Sequence, residues 1–246
     1  MVPRSCCSAT STGPVSAHRD RCADGEIVGP RCHDRGMAES SGGRPLSGVD
    51  ELHAVLTLVL DLIDPVATGF EYRLVGTAAS LAQGVQLPVG DIDILVARRS
   101  DVDRFATALT GFPCLQPPAW LPQAQQYFGH FAVNGIDVGA STVEVRTDAT
   151  AIECIGRGPW ERFVEVTFGD HIVPVVRLEL RLVSELVRNR PERYEPLIAH
   201  MRSHGSNLQL VERAMRDRDL NPDLQSDILT RLGSAYHDSA ATLRPA

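Results

Sequence analysis

Lysine is absent: all 24 positively charged residues of this 246-residue chain are arginine. That excludes a Walker-type phosphate loop with its lysine, a kinase-type strand lysine and any lysine Schiff base. Phosphate recognition therefore falls to arginine and to backbone amides. Long apolar runs are missing too, so the chain reads as having no signal peptide and no membrane span, and as cytoplasmic with reduced thiols. The six cysteines show no common zinc spacing. Cys6, Cys7, Cys22 and Cys32 beside His33 lack a C-x-x-C pair, and Cys114 and Cys154 stand alone. Histidines are scattered, and His200 with His204 lacks a Glu-x-x-His context, which speaks against a metallohydrolase. With a net charge of −7, the chain is not built to hold duplex nucleic acid by bulk electrostatics.

What is present suffices for one substantial globular domain, since 43% of the residues are hydrophobic. Residues 1–47 are rich in Ser, Gly, Pro, Arg and Cys, carry no period and read as a disordered tail. Met37 opens MAESSGG as an ordinary start would, and the stretch before it reads as an upstream mis-start. From Val49 to Ile63 apolar residues recur at helical spacing, with Ser47 or Asp50 as cap and Pro65 as stop. An α/β core is expected over 48–176 and a helical region over 177–246.

One stretch, YRLVGTAASLAQGVQLPVGDIDILV from Tyr72 to Val96, organises the rest. Tyr72 to Val75 reads as a short strand that stops at Gly76-Thr77, and Ala78 to Ala82 as the start of a helix. Such a turn suits an anion, because glycine lets the backbone come close and the first N–H groups of a helix are unpaired. After a Gly/Pro-rich break comes the alternating strand Asp91 to Val96. It sets Asp91 and Asp93 on one face and Ile92 and Ile94 on the other. Two neighbouring carboxylates repel each other and call for cations, and hard divalent ions share such oxygens with substrate phosphates.

Downstream, Ser100 can cap a helix to Leu109, and Pro117 to Pro122 reads as a loop carrying Trp120. Asn134-Gly135 predicts a hairpin between Tyr127–Val133 and Ile136–Val145, interrupted at Gly139-Ala140. A second hairpin is expected from Phe163–Phe168 and His171–Val176 across Gly169-Asp170, after the turn-rich GRGPW loop. Trp120 and Trp160 read as packing over the sheet edge, with base stacking as the alternative. Helices follow over Leu178–Asn189 and Pro191–His204, then from a Ser206 cap to Arg216, and from Asn221-Pro222 to Tyr236. Arg177, Arg181, Arg188, Arg190 and Arg193 cluster there. They either line a phosphate groove or form a solvated face with Glu185 and Glu192.

The order strand, Gly-hydroxyl, helix, break and Asp-x-Asp resembles the signature of the nucleotidyltransferase superfamily related to DNA polymerase β. Thr77 stands where serine is more usual. The resemblance implies an α+β fold with a mixed sheet, flanking helices and a helical C-terminal part. It implies Gly76, Thr77 and Ser80, with Arg177 and Arg181, on the phosphates of a nucleoside triphosphate such as ATP. It implies Asp91 and Asp93 on two Mg²⁺ or Mn²⁺ ions. A third carboxylate on a neighbouring strand is Asp137, with Glu144 as the alternative; Asp137 comes just after the turn, whereas the Gly139-Ala140 break precedes Glu144. The implied activity moves an NMP group to an acceptor hydroxyl, on a small molecule or a protein, with RNA the further class, and releases pyrophosphate. The alternative is an inactive member that binds nucleotide, RNA or protein as a regulator.

Overall fold

The computed structural model describes residues 43–65, 69–142 and 162–241. They form a mixed seven-stranded sheet with seven helices, an α+β arrangement. In chain order the elements are α1 (Val49–Ile63), β1 (Tyr72–Val75), α2 (Gly76–Ala82), β2 (Asp91–Val96), α3 (Arg99–Ala108), β3 (Cys114–Leu121), β4 (Gln126–Val133) and β5 (Ile136–Thr142). β6 (Phe163–Phe168), β7 (His171–Val176), α4 (Leu178–Val187), α5 (Pro191–His204), α6 (Leu208–Arg216) and α7 (Pro222–Ala241) follow. The strand order is β3-β4-β5-β2-β1-β7-β6. Residues 1–42 of the expected tail, with its cysteines and His33, lie outside the described residues, as do Glu144, Cys154, Trp160 and the GRGPW loop. Residues 43–47, expected to be disordered, are instead hydrogen-bonded to the sheet, with Leu46 buried.

The centre of the sheet is β2, antiparallel to β1 and parallel to β5. Its Ile92 and Ile94 are buried, and so are their neighbours Leu74, Val138 and Ala140. On the same face Phe131 meets Phe105 of α3 edge-on, with ring centroids 5.8 Å apart. Burying each such side chain contributes about 1.5–3 kcal/mol. Because side chains alternate along a strand, the opposite face is left to Asp91 and Asp93.

Several elements differ from the pattern read in the sequence. Pro117 and Pro118 lie within strand β3 and not in a loop. β3 is an edge strand whose register slips between Cys114 and Gln116 and again between Gln116 and Ala119. An edge with bulges tolerates proline, because no outer neighbour requires its N–H. Nor is β5 interrupted at Gly139-Ala140: it runs unbroken to Thr142, where the described segment ends. Glycine is there for space, since a Cβ on Gly139 would come 2.8 Å from the Phe128 ring. The N-cap of α1 is Gly48, while Ser47 bonds to Glu51 through both its N–H (2.7 Å) and its hydroxyl (3.0 Å). Asn207, not Ser206, caps α6 by accepting from the Leu210 N–H at 3.0 Å.

The turns match their chemistry. Asn134 (φ 53°) and Gly135 (φ 78°) both take positive φ, as a two-residue hairpin turn requires. Among the described residues no helix is long and apolar enough to cross a membrane, and Cys114 is a free, exposed thiol.

Candidate functional site

Val75 is the register partner of Asp93, so β1 ends beside the second aspartate of β2. The chain then turns at Gly76, the first residue of α2, with φ 67°. A Cβ there would stand 2.7 Å from Asp93 Oδ2, so the turn and the carboxylate are in close contact. α2 is held in place from its far end: Gln83 Nε2 donates to Ala79 O (2.9 Å) and to Val176 O of β7 (2.8 Å).

The parallel register of β2 and β5 pairs Asp91 with Asp137 and Asp93 with Gly139. Register partners project to the same side, so the three aspartates share one face on two adjacent strands. Asp91 is exposed, whereas the Asp137 side chain keeps 15% of its surface. Its Oδ1 accepts the Gly43 N–H at 3.0 Å, and its Oδ2 lies 3.8 Å from His130 Nε2 on β4. As the side chains lie, no three His, Cys, Asp or Glu residues among those described are close enough to hold an ion. The donor chemistry of the three aspartates nonetheless fits a hard divalent cation, which takes carboxylate oxygens and relieves their mutual repulsion.

On the other side of Gly76, Thr77 and Ser80 are buried on α2. Thr77 Oγ1 accepts from Arg193 Nη1 of α5 at 3.3 Å. The Ser80 hydroxyl is buried without a hydrogen-bond partner. Arg177 caps α4 and donates from Nε to Glu179 at 3.2 Å; Glu179 also accepts the Asn207 N–H at 2.8 Å. The guanidinium of Arg181 is buried and paired with buried Glu185 one turn on. Glu185 also faces Arg190 (3.9 Å) and Arg193 (4.0 Å), both half-exposed.

Arg181 thus faces the interior, and Arg193 is the cluster member that reaches the Gly76-Thr77 turn. Nothing local in the sequence distinguishes Arg193 from the rest of the cluster, because its partner lies 116 residues away. The backbone contact of Gly43 left no signal in the sequence at all. Trp120 lies on the edge strand with the Arg99 guanidinium 4.9 Å from its ring centroid.

No protein-family model matches the chain, and no curated protein does. Solved structures do resemble it. A candidate nucleotidyltransferase from Thermotoga maritima aligns over 60% of this chain and 92% of that one, with 20% identity and a TM-score of 0.41. An antigenic nucleotidyltransferase-like protein from Paracoccidioides brasiliensis covers 76% of this chain and 95% of its own, with 14% identity and a TM-score of 0.44. The Cid1 poly(U) polymerase bound to MgGTP is a more partial match, over 39% of this chain and 34% of Cid1, at 13% identity and a TM-score of 0.30.

Proposed function

We propose that the chain is a metal-dependent nucleotidyltransferase, moving an NMP group from a nucleoside triphosphate to a hydroxyl of a small molecule or protein. The observation that carries this reading is the register that sets Asp137 beside Asp91 while Asp93 packs against the Gly76 turn. Asp91, Asp93 and Asp137 would hold Mg²⁺ or Mn²⁺, which when bound neutralises charge on the reacting phosphates. Gly76 offers its backbone to the phosphates, and Thr77 and Ser80 line the helix that follows. Arg177 stands at the entrance to α4, and Arg181 anchors the interior of that helix. In the transfer a bond forms between the acceptor oxygen and the α-phosphorus, the bond from that phosphorus to its bridging oxygen breaks, and pyrophosphate leaves. Asp137 would take the proton that the acceptor hydroxyl gives up.

The test is calorimetric titration of the full chain with each of the four ribonucleoside triphosphates, with and without Mg²⁺. Binding that requires Mg²⁺ and is lost in Asp91→Asn and Asp93→Asn is expected. Turnover in an acceptor screen should vanish in the same variants while their far-UV spectra stay unchanged, since each replacement removes an anionic ligand at nearly constant volume. Retained Mg²⁺-dependent turnover in either variant would overturn the site. Failure to bind any triphosphate would favour a fold retained for regulation.

A further inference from the structure

The segment just before α1 does more than lead into a helix. Arg44 N–H donates to Gly135 O (3.0 Å) in the turn that opens β5, and Leu46 N–H donates to Val89 O (2.9 Å) just before β2. It therefore crosses the starts of the two strands that carry Asp91 and Asp137. Leu46 is buried in the core. Glu51 of α1 receives the Arg44 guanidinium, at 2.9 Å through Nη1, and the Ser47 N–H at 2.7 Å. The strap is tied down immediately C-terminal to Gly43, which donates to Asp137 Oδ1.

The fit at Gly43 is exclusive. A Cβ there would lie 2.2 Å from Asp137 Oδ1 and 2.9 Å from the Asp137 backbone nitrogen, so any other residue forces the strap and the carboxylate apart. The bond also answers an electrostatic need. Asp91 and Asp137 are register partners on adjacent strands, and two carboxylates so placed push each other outward. An N–H on Oδ1 offsets part of that charge and fixes the side-chain torsion, leaving Oδ2, 3.8 Å from His130 Nε2, to take a cation.

We infer that Gly43 is a positioning residue: its backbone N–H holds Asp137 in place against Asp91, so that the three aspartates bind a divalent cation together. This rests on the proposed three-aspartate site, and the experiment separates the two ideas. Mn²⁺ is titrated into the full-length chain and the free ion is followed by electron paramagnetic resonance, for the native sequence and for Gly43→Ala, Arg44→Ala and Asp91→Asn. Gly43→Ala is expected to weaken Mn²⁺ binding about ten-fold, as loss of a hydrogen bond to a charged group implies. A purely structural role would lower the metal-free melting temperature and leave Mn²⁺ affinity where it was, which would overturn the inference. Tighter binding in Gly43→Ala would overturn it too, making the strap a mask. Should Gly43→Ala fail to fold, Arg44→Ala decides. Loosening the exposed anchor should weaken Mn²⁺ binding about two- to three-fold, and an unchanged affinity counts against the inference. If Asp91→Asn binds Mn²⁺ like the native chain, the aspartate site itself is wrong. If Asp91→Asn loses Mn²⁺ while Gly43→Ala matches the native chain, only the role of Gly43 falls.

Discussion

Gly76 carries two demands at one position. Its φ of 67° is a conformation that L side chains rarely adopt, and the space a Cβ would need is taken by Asp93 Oδ2 at 2.7 Å. Alanine would face both, so Gly76→Ala should destabilise the protein by about 1–2 kcal/mol from the backbone alone. It should also push the Asp93 carboxylate off its place. The urea midpoint measures the first effect and Mg²⁺-dependent triphosphate binding the second. An alanine variant with native midpoint and native binding would show that the turn tolerates a side chain and that its contact with Asp93 is incidental.

At the scale of elements, α4 carries a buried ion pair within its own length. Arg181 and Glu185 are both withdrawn from water, with Arg190 and Arg193 of the α4–α5 region facing the same carboxylate. Arg181→Ala leaves Glu185 buried without its main partner, and a loss of roughly 3–5 kcal/mol is expected by chemical denaturation. Replacing both by apolar residues, Arg181→Met with Glu185→Leu, should recover most of it, because the cost lies in the unpaired charge. No recovery in the double variant would mean that the pair itself stabilises. The sequence could not distinguish this arrangement from a solvated face, since i, i+4 spacing is the same in both and only tertiary packing decides burial. Elements defined by strong local chemistry were legible. Pro191 opens α5 where expected, and Asn134-Gly135 and Gly169-Asp170 turn their hairpins. Strand β3 was not, because Pro117-Pro118 signals a loop unless the strand is known to lie at an edge.

On the scale of the whole molecule, what the sequence could and could not tell about the site divides along the same line. Alternation alone puts Asp91 and Asp93 on one face. The neighbouring position of Asp137 depends on a parallel β2–β5 register spanning some 46 residues of chain, and the contact from Gly43 on a backbone amide 94 residues away. Parallel pairing and backbone donors leave no local pattern to read. The same long-range closure bears on how residues 43–241 hold together. Leu180, Leu182 and Val183 of α4, Leu197 of α5 and Val211 of α6 belong to one continuous buried cluster with Ile92, Val138 and Val175 of the sheet. A helical region with its own core would unfold separately; one that shares a core cannot. Thermal unfolding followed by far-UV circular dichroism, dominated by the helices, should therefore coincide with tryptophan fluorescence, since Trp120 and Trp160 both precede the helical region. Leu182→Ala, a fully buried truncation on α4, should lower both midpoints together, by an amount equivalent to about 2–5 kcal/mol. Two separated transitions, or a fluorescence midpoint that stays put while the helical signal moves, would show that the helices form an independent unit. The Thr77–Arg193 bond would then join two bodies free to move apart, and the Gly76-Thr77 turn would lose its arginine whenever they did.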